Sequence, residues 1–290
     1  MDRRAFLAAS ALAAAAPALG TSGPARAAGP KYRISLAAYS CRKFLDLKNP
    51  TMTLEEFLEK CAEWGFDGAE LTEYFFQKPV TPEYLSKLKR RALRCGLDIT
   101  GTPIGNTFTL PPGEARDKEV ARVKQWIDVS ADLGSPAIRI FAGSTPKGGD
   151  EAQARKWAVE CIEACLPHAE KRGVLLALEN HGGGVLTAEG MLEFAAAIKH
   201  EWFGFNLDGG NFKSADPYAE IERCAPHAVT CQLKAEISRA GKKEEADYGK
   251  IVEILRKAGY RGYVTLEYES AEDPMAAIPR HLEALRKVCS

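Results

Sequence analysis

Eight short runs rich in β-branched and aromatic residues recur along the chain, most of them followed by a longer amphipathic stretch. No other feature constrains the fold as much. The runs are YRISLAAYS (32–40), GAELTEY (68–74), LDITGTPI (97–104), PAIRIFAG (136–143), VLLALENH (174–181), FGFNLDGG (203–210), AVTCQLKAEI (228–237) and GYVTLEYE (262–269). The stretches between them carry helix punctuation. Thr53 with Glu56 forms a capping box before FLEKCAEW, and Gly65 stops that helix. Thr81 followed by Pro82 opens the next, which ends at Gly96. EVARVKQWIDVSADL stops at Gly134, ARKWAVECIEACLPHAEKR at Gly173 and YGKIVEILRKA at Gly259. Eight strand–helix units in roughly 260 residues predict a single (β/α)8 barrel. A doubly wound sheet is the alternative, but the first strand is followed by no GxGxxG and the chain has no P-loop.

Residues 1–27 are set apart from the fold. MDRRAFLAASALAAAAPALGTSGPARA has a basic start, an Ala-rich apolar stretch and a small-residue site at Ala25-Arg26-Ala27. That is the layout of a cleaved export signal, too short for a membrane span. The RRAFL run resembles a twin-arginine signal, so an exported, periplasmic protein is expected, with residues 28–290 as the barrel. The whole chain carries 39 basic and 39 acidic side chains. Setting aside Asp2, Arg3, Arg4 and Arg26 leaves 38 acidic and 36 basic, which disfavours a nucleic-acid partner. No other apolar run reaches the ~18 residues of a membrane helix, and the oligomeric state is left open. The eight cysteines form no CxxC and have no histidine at zinc-finger spacing, so buried free thiols are expected over disulfides.

In such barrels chemistry sits at the C-terminal strand ends. Four of the runs end in groups able to bind one ion: Glu179 in the fifth, Asp208 in the sixth, Gln232 in the seventh and Glu267 in the eighth. Side chains alternate along a strand, so Glu179 shares a face with Ala177 and His181, Gln232 with Thr230 and Lys234, and Glu267 with Thr265 and Glu269. Three converging carboxylates repel one another and lose solvation, a cost that a cation removes. Oxygen donors favour Mn²⁺, with Mg²⁺ or Co²⁺ as alternatives, over Zn²⁺. A lone carboxylate would more often be a cap or an ion-pair partner; four candidates at successive strand ends favour a metal.

The pattern Glu179, Asp208, Gln232, Glu267, with LENHGG, NLDGGN, KAGYRGYVTLEYE and the closing AIPRHLEALR, resembles the xylose-isomerase-like superfamily of sugar isomerases and epimerases. The likeness runs over residues 32–288. In that family the ligands are Glu, Asp, His and Glu; one glutamate takes a proton next to a carbonyl and the other returns it. The resemblance therefore implies metal ligation by all four positions and an acid–base role for Glu179 and Glu267. This chain departs at Gln232, where the family has histidine in an HxKD context, and at Asn211, where the family often has histidine. Both changes weaken a divalent site and disfavour zinc.

The expected reaction is isomerisation or epimerisation through an enediolate on a non-phosphorylated sugar or keto-sugar. His181 and Lys234 are candidates for binding substrate and stabilising charge; Arg139, Asn106 and Glu70 are further substrate-binding candidates. Gly182–Gly184 would let backbone approach a ligand. Tyr39, Phe75, Phe76 and Trp202 are stacking candidates, although aromatic residues more often fill a core. A phosphodiesterase-type DNA repair activity on the same fold is disfavoured by the acidic balance, the export signal and the five histidines, and two alternatives stand beside this reading. One is a 3-keto-glycoside lyase acting by β-elimination at the same site. The other is an inactive carbohydrate-binding barrel.

Overall fold

The computed structural model describes residues 31–290. The export signal expected over residues 1–27 lies outside them. Eight strands form one parallel sheet: β1 (Ile34–Ala37), β2 (Gly68–Glu70), β3 (Asp98–Gly101), β4 (Ala137–Ile140), β5 (Leu175–Glu179), β6 (Phe203–Asp208), β7 (Ala228–Leu233) and β10 (Val264–Leu266). Their order, β3-β2-β1-β10-β7-β6-β5-β4, is that of a barrel opened between β3 and β4. Two backbone hydrogen bonds cross that gap, from Thr102 N to Ala137 O at 3.1 Å and from Ile104 N to Arg139 O at 3.1 Å. The single (β/α)8 barrel expected from the alternation is the fold.

Helices α1 (Arg42–Leu45), α2 (Leu54–Trp64), α3 (Pro82–Arg94), α4 (Glu114–Leu133), α5 (Glu151–Arg172), α6 (Ala188–Ala197), α7 (Pro217–Cys224), α8 (Tyr248–Lys257) and α9 (Pro274–Cys289) fill the connections. The Thr53–Glu56 capping box forms at α2, and the Thr81 side chain accepts from Tyr84 N at the start of α3. Gly65, Gly134 and Gly173 end α2, α4 and α5 in the left-handed conformation that glycine adopts without penalty. No described helix is long and apolar enough to cross a membrane.

Alternation along each strand divides the molecule into two layers. Leu176 and Leu178 of β5, Leu207 of β6, Leu233 of β7 and Leu266 of β10 are fully buried on the outward row, beneath the helices. Each such side chain contributes on the order of 1.5–3 kcal/mol. The inward row is small and polar. Ser35 Oγ lies 2.7 Å from Thr100 Oγ1, and Thr265 Oγ1 donates to Ser35 Oγ at 3.4 Å. All eight cysteines are free, and only Cys95 is not fully buried.

The seventh run differs from its expectation as one strand over 228–237. The barrel strand stops at Leu233. After Lys234 and Ala235 the chain turns into an antiparallel hairpin of β8 (Glu236–Arg239) and β9 (Lys242–Glu245). The alternating pattern continues across the break, so periodicity alone does not mark it.

Candidate active site

The mouth of the barrel is built where strands end and side chains take over the backbone ladder. Asn180 closes the gap between the ends of β5 and β6. Its Nδ2 donates to Asp208 O at 2.9 Å, and its Oδ1 accepts from Asp208 N at 2.9 Å. Asn106 does the same beyond β4, donating to Phe141 O and accepting from Phe141 N, both at 2.8 Å. A carboxamide presents one donor and one acceptor side by side, which is what a diverging pair of strands leaves unmatched. Arg42 holds the end of β10, donating to Tyr268 O at 3.2 Å and Glu269 O at 3.4 Å.

A cavity of about 180 Å³ opens above these clamps, lined by Glu179, His181, Arg139, Lys234, Glu267 and Glu269, with Tyr39, Tyr74 and Phe141 as aromatic walls. Glu179 faces Arg139, whose Nε is 2.8 Å from Oε2 without the alignment of a hydrogen bond. The other carboxylate oxygen accepts from Asn211 Nδ2 at 2.9 Å. Arg139 also donates to Ile104 O at 2.7 Å and stacks over the Phe141 ring at 3.9 Å. His181 also packs against that ring, with the ring centroids 4.4 Å apart and the planes tilted by 32°.

Lys234 is the hub of the opposite wall. Its Nζ lies 3.1 Å from Asp208 Oδ2, 3.4 Å from Glu267 Oε2 and 2.8 Å from Glu269 Oε2, and donates to Asn211 Oδ1 at 3.0 Å. Burial works against its charge, but the three carboxylates outweigh burial and hold it protonated far above the ordinary lysine range. Burial likewise pushes the Asp208 carboxyl up to about 6, with Lys234 opposing, and raises Glu267 well above the usual carboxylate range against the same ammonium.

Below the mouth runs a buried chain of side chains. Thr230 Oγ1 donates to Asn206 Oδ1, Asn206 Nδ2 to Gln232 Oε1, and Gln232 Nε2 to Glu70 Oε1, each at 2.7 Å. Glu70, raised by burial to about 7 although Arg139 and this hydrogen bond oppose the rise, therefore supports Gln232 from beneath and does not line the cavity. Asn106 also spends both amide ends on backbone outside the cavity.

Of the residues singled out in the sequence, Glu179, His181, Arg139, Lys234 and Glu267 meet around one space. Asp208 and Gln232 lie at its floor, fully buried. Gly183 and Gly184 pack against protein, where a Cβ would stand 2.6 Å from Gly143 O and 2.8 Å from Glu151 Oε1, whereas at Gly182 the nearest atom is Ser144 Oγ at 3.8 Å. Tyr39 lines the cavity; Phe75 and Phe76 are buried and Trp202 lies at the start of β6, away from the mouth. Tyr74, Phe141 and Asn180 were not singled out. Only Asn180, wedged between Glu179 and His181, carried a local signal.

Whether these residues suit a divalent ion is tested by their free valences. Asp208 Oδ2 is buried and makes no aligned hydrogen bond, although the Lys234 ammonium stands 3.1 Å from it, and Gln232 Oε1 has a second lone pair beyond the one Asn206 occupies. With Glu179 and Glu267 they make an oxygen donor set that fits Mn²⁺ or Mg²⁺ in kind. The set is not drawn tight: among the described residues no three acidic, histidine or cysteine side chains stand as a formed metal cage, and Lys234 is the cation between Asp208 and Glu267.

A nearly closed parallel barrel with paired carboxylates and paired cations at its C-terminal mouth defines the class: a barrel that gathers its polar side chains at its strand ends. The sequence profile of the xylose isomerase-like TIM barrel family matches residues 58–288, and the chain belongs to that family. It is similar to a Streptomyces coelicolor protein assigned provisionally as a hydroxypyruvate isomerase, 23% identical over 236 residues that cover 73% of this chain and 84% of that one. Its fold matches the apo form of a 3-keto-D-glucoside 4-epimerase from E. coli, with TM-score 0.71 and 17% identity over 89% of this chain and 100% of the other. A D-psicose 3-epimerase from Clostridium cellulolyticum, solved with D-tagatose, matches with TM-score 0.71 and 17% identity over 89% and 99% of the two chains.

Proposed function

We propose that the protein is a sugar isomerase or epimerase that moves a proton next to a carbonyl on a non-phosphorylated sugar or keto-sugar. The observation that carries this is the meeting of Glu179 and Glu267 around one cavity with Arg139, Lys234 and His181. The names of the similar proteins support the same class.

Glu179 and Glu267 flank the bound carbon as the acid–base pair, a role worth on the order of 10²–10⁴ in rate. Lys234, kept charged by its carboxylates, faces the oxygen on which negative charge develops. Arg139 and Asn211 fix the Glu179 carboxylate, so the base does not have to be oriented at each turnover. The Tyr39, Tyr74 and Phe141 rings offer faces for the C–H side of a sugar. Glu179, Asp208, Gln232 and Glu267 would hold a divalent ion, Mn²⁺ in our reading, which when bound supplies polarisation of the substrate carbonyl. The cations at the mouth are already paired with carboxylates, which disfavours a phosphorylated substrate. Export through residues 1–27, as we propose, agrees with a free sugar.

On a 3-keto-glycoside the same proton abstraction leads to β-elimination of the aglycone, and product analysis separates the two outcomes. The test of the shared step is wash-in of deuterium from D₂O at the carbon beside the carbonyl of a keto-sugar. Exchange is expected from the wild type and is lost by at least about 10²-fold in Glu179→Gln and in Glu267→Gln. Full exchange in either variant refutes the assignment.

A further inference from the structure

The hairpin β8–β9 is an addition to the barrel that the proton-transfer chemistry does not use. Its two-residue turn, Ala240-Gly241, has positive φ at both positions (48° and 79°), the geometry that matches the twist of a tight hairpin. It is tied down: Ala240 N donates to Ser214 O at 2.8 Å and Arg239 Nη1 to Ala215 O at 3.1 Å. Pinned to the loop after β6, the hairpin walls a second cavity of about 320 Å³.

That cavity adjoins the catalytic one. Lys234 and Glu269 line both, so the two spaces are separated only by the side chains that form the catalytic wall. Gly210 lets Lys234 pack close at that shared wall: a Cβ there would stand 2.7 Å from Lys234 Cδ and 3.0 Å from Glu236 O. The catalytic cavity alone is monosaccharide-sized and below the roughly 300–1,000 Å³ of ordinary ligand pockets, whereas the two together, about 500 Å³, fall within that range.

The linings also differ. The catalytic cavity has three aromatic walls, and the hairpin cavity has none. Its wall is more apolar than polar, with Ile237 among the lining, but Ser238, Ser270, Asn211, Lys213 and Glu236 set hydroxyl, amide and charged groups into it, and Lys243 donates to Glu236 at 3.2 Å. A flat aromatic aglycone would find no stacking partner there. A hydroxyl-rich unit would find donors and acceptors around its rim.

We propose that the hairpin cavity is a second sugar subsite, so that the natural substrate is a disaccharide-sized glycoside whose reacting ring lies in the catalytic cavity and whose second sugar lies under the hairpin. This rests on the sugar chemistry proposed for the mouth. Two added hydrogen bonds of ordinary net strength amount to roughly tenfold in affinity.

The test is calorimetric binding of glucose, maltose, cellobiose and trehalose to the purified full chain and to Ser238→Trp, which fills the cavity. At least one disaccharide is expected to bind about tenfold tighter than glucose in the wild type, with that advantage gone in Ser238→Trp. Should that variant not fold, Ser270→Phe takes its place. No disaccharide binding tighter than glucose, or an advantage that survives the filled cavity, overturns the proposal. Deuterium wash-in with the 3-keto derivatives is run in parallel. Disaccharide selectivity without wash-in sinks the catalytic reading and leaves the subsite standing; wash-in without selectivity does the reverse.

Discussion

Replacing Arg139 by Met should expose how much the catalytic wall depends on one buried ion pair. Arg139 and Glu179 are 7% and 3% exposed, and the guanidinium is the nearest cation to that carboxylate. Methionine keeps an unbranched apolar stem but removes the guanidinium that stacks over the Phe141 ring, its charge and the hydrogen bond to Ile104 O. Removing one partner of a buried pair costs about 3–5 kcal/mol, because the other charge is left uncompensated. For a domain of this size that lowers Tm by roughly 6–20 °C. Thermal and urea unfolding of Arg139→Met, Glu179→Gln and the double variant form a cycle. The double variant buries no unpaired charge, so it should be more stable than Arg139→Met despite carrying one more substitution. A Met variant within about 1 kcal/mol of wild type, or a double variant at the sum of the singles, would refute the reasoning and make the pair incidental.

Supplied with Mn²⁺, the purified protein should retain about one ion per chain and Asp208→Asn should retain less; plasma mass spectrometry of the dialysed proteins reads this. A wild type that stays empty removes the ion from the proposal and leaves charge stabilisation to Lys234 and Arg139. Ala240→Gly should stabilise the protein by about 1 kcal/mol, because alanine at positive φ carries a penalty that glycine does not; an unchanged urea midpoint counts against the turn geometry. Titration with a thiol reagent at pH 8 should find about one fast thiol, Cys95, and eight in denaturant. Burial pushes Cys41, Cys165 and Cys224 up to about 12 and closes them to reagent. Several fast thiols in the native state would contradict that packing. Gly210→Ala should lower kcat/KM by at least about tenfold, since the added methyl meets Lys234, and full activity would show that Lys234 has room to spare.

The barrel was legible because each level of the sequence agreed with the next. The apolar outward rows, the Thr53 and Thr81 caps and the stop glycines all specify the same eight units. Glu179 and Glu267 were legible for a narrower reason: a carboxylate closing an apolar strand has to serve something at the mouth. What escaped notice lay where local pattern and tertiary role separate. Tyr74 closes the run GAELTEY, but β2 stops at Glu70 and a 3₁₀ turn over Glu73–Phe75 brings the tyrosine to the cavity. The hairpin escaped because QLKAEI alternates without interruption through the point where the chain leaves the barrel. Asn106 and Asn180 look alike in the structure, each pairing with backbone across a strand gap, yet nothing in a single sequence distinguishes that duty from ligand binding.

The row of side chains from Thr230 to Glu70 has a fixed reading direction. The threonine hydroxyl gives its proton to the Asn206 oxygen, so the asparagine must turn its amide nitrogen toward Gln232; the glutamine must then turn its own nitrogen toward the glutamate. Reversing any one member leaves two donors or two acceptors face to face. Position 232 is therefore not an independent choice. A neutral imidazole there would also present one proton and one lone pair, but on a rigid ring whose two nitrogens point in different directions from the two ends of an amide. Placing a histidine at 232 would change the partners offered to Asn206 and Glu70. The three positions are joined by one chain of hydrogen bonds, so a change at any one of them bears on the other two.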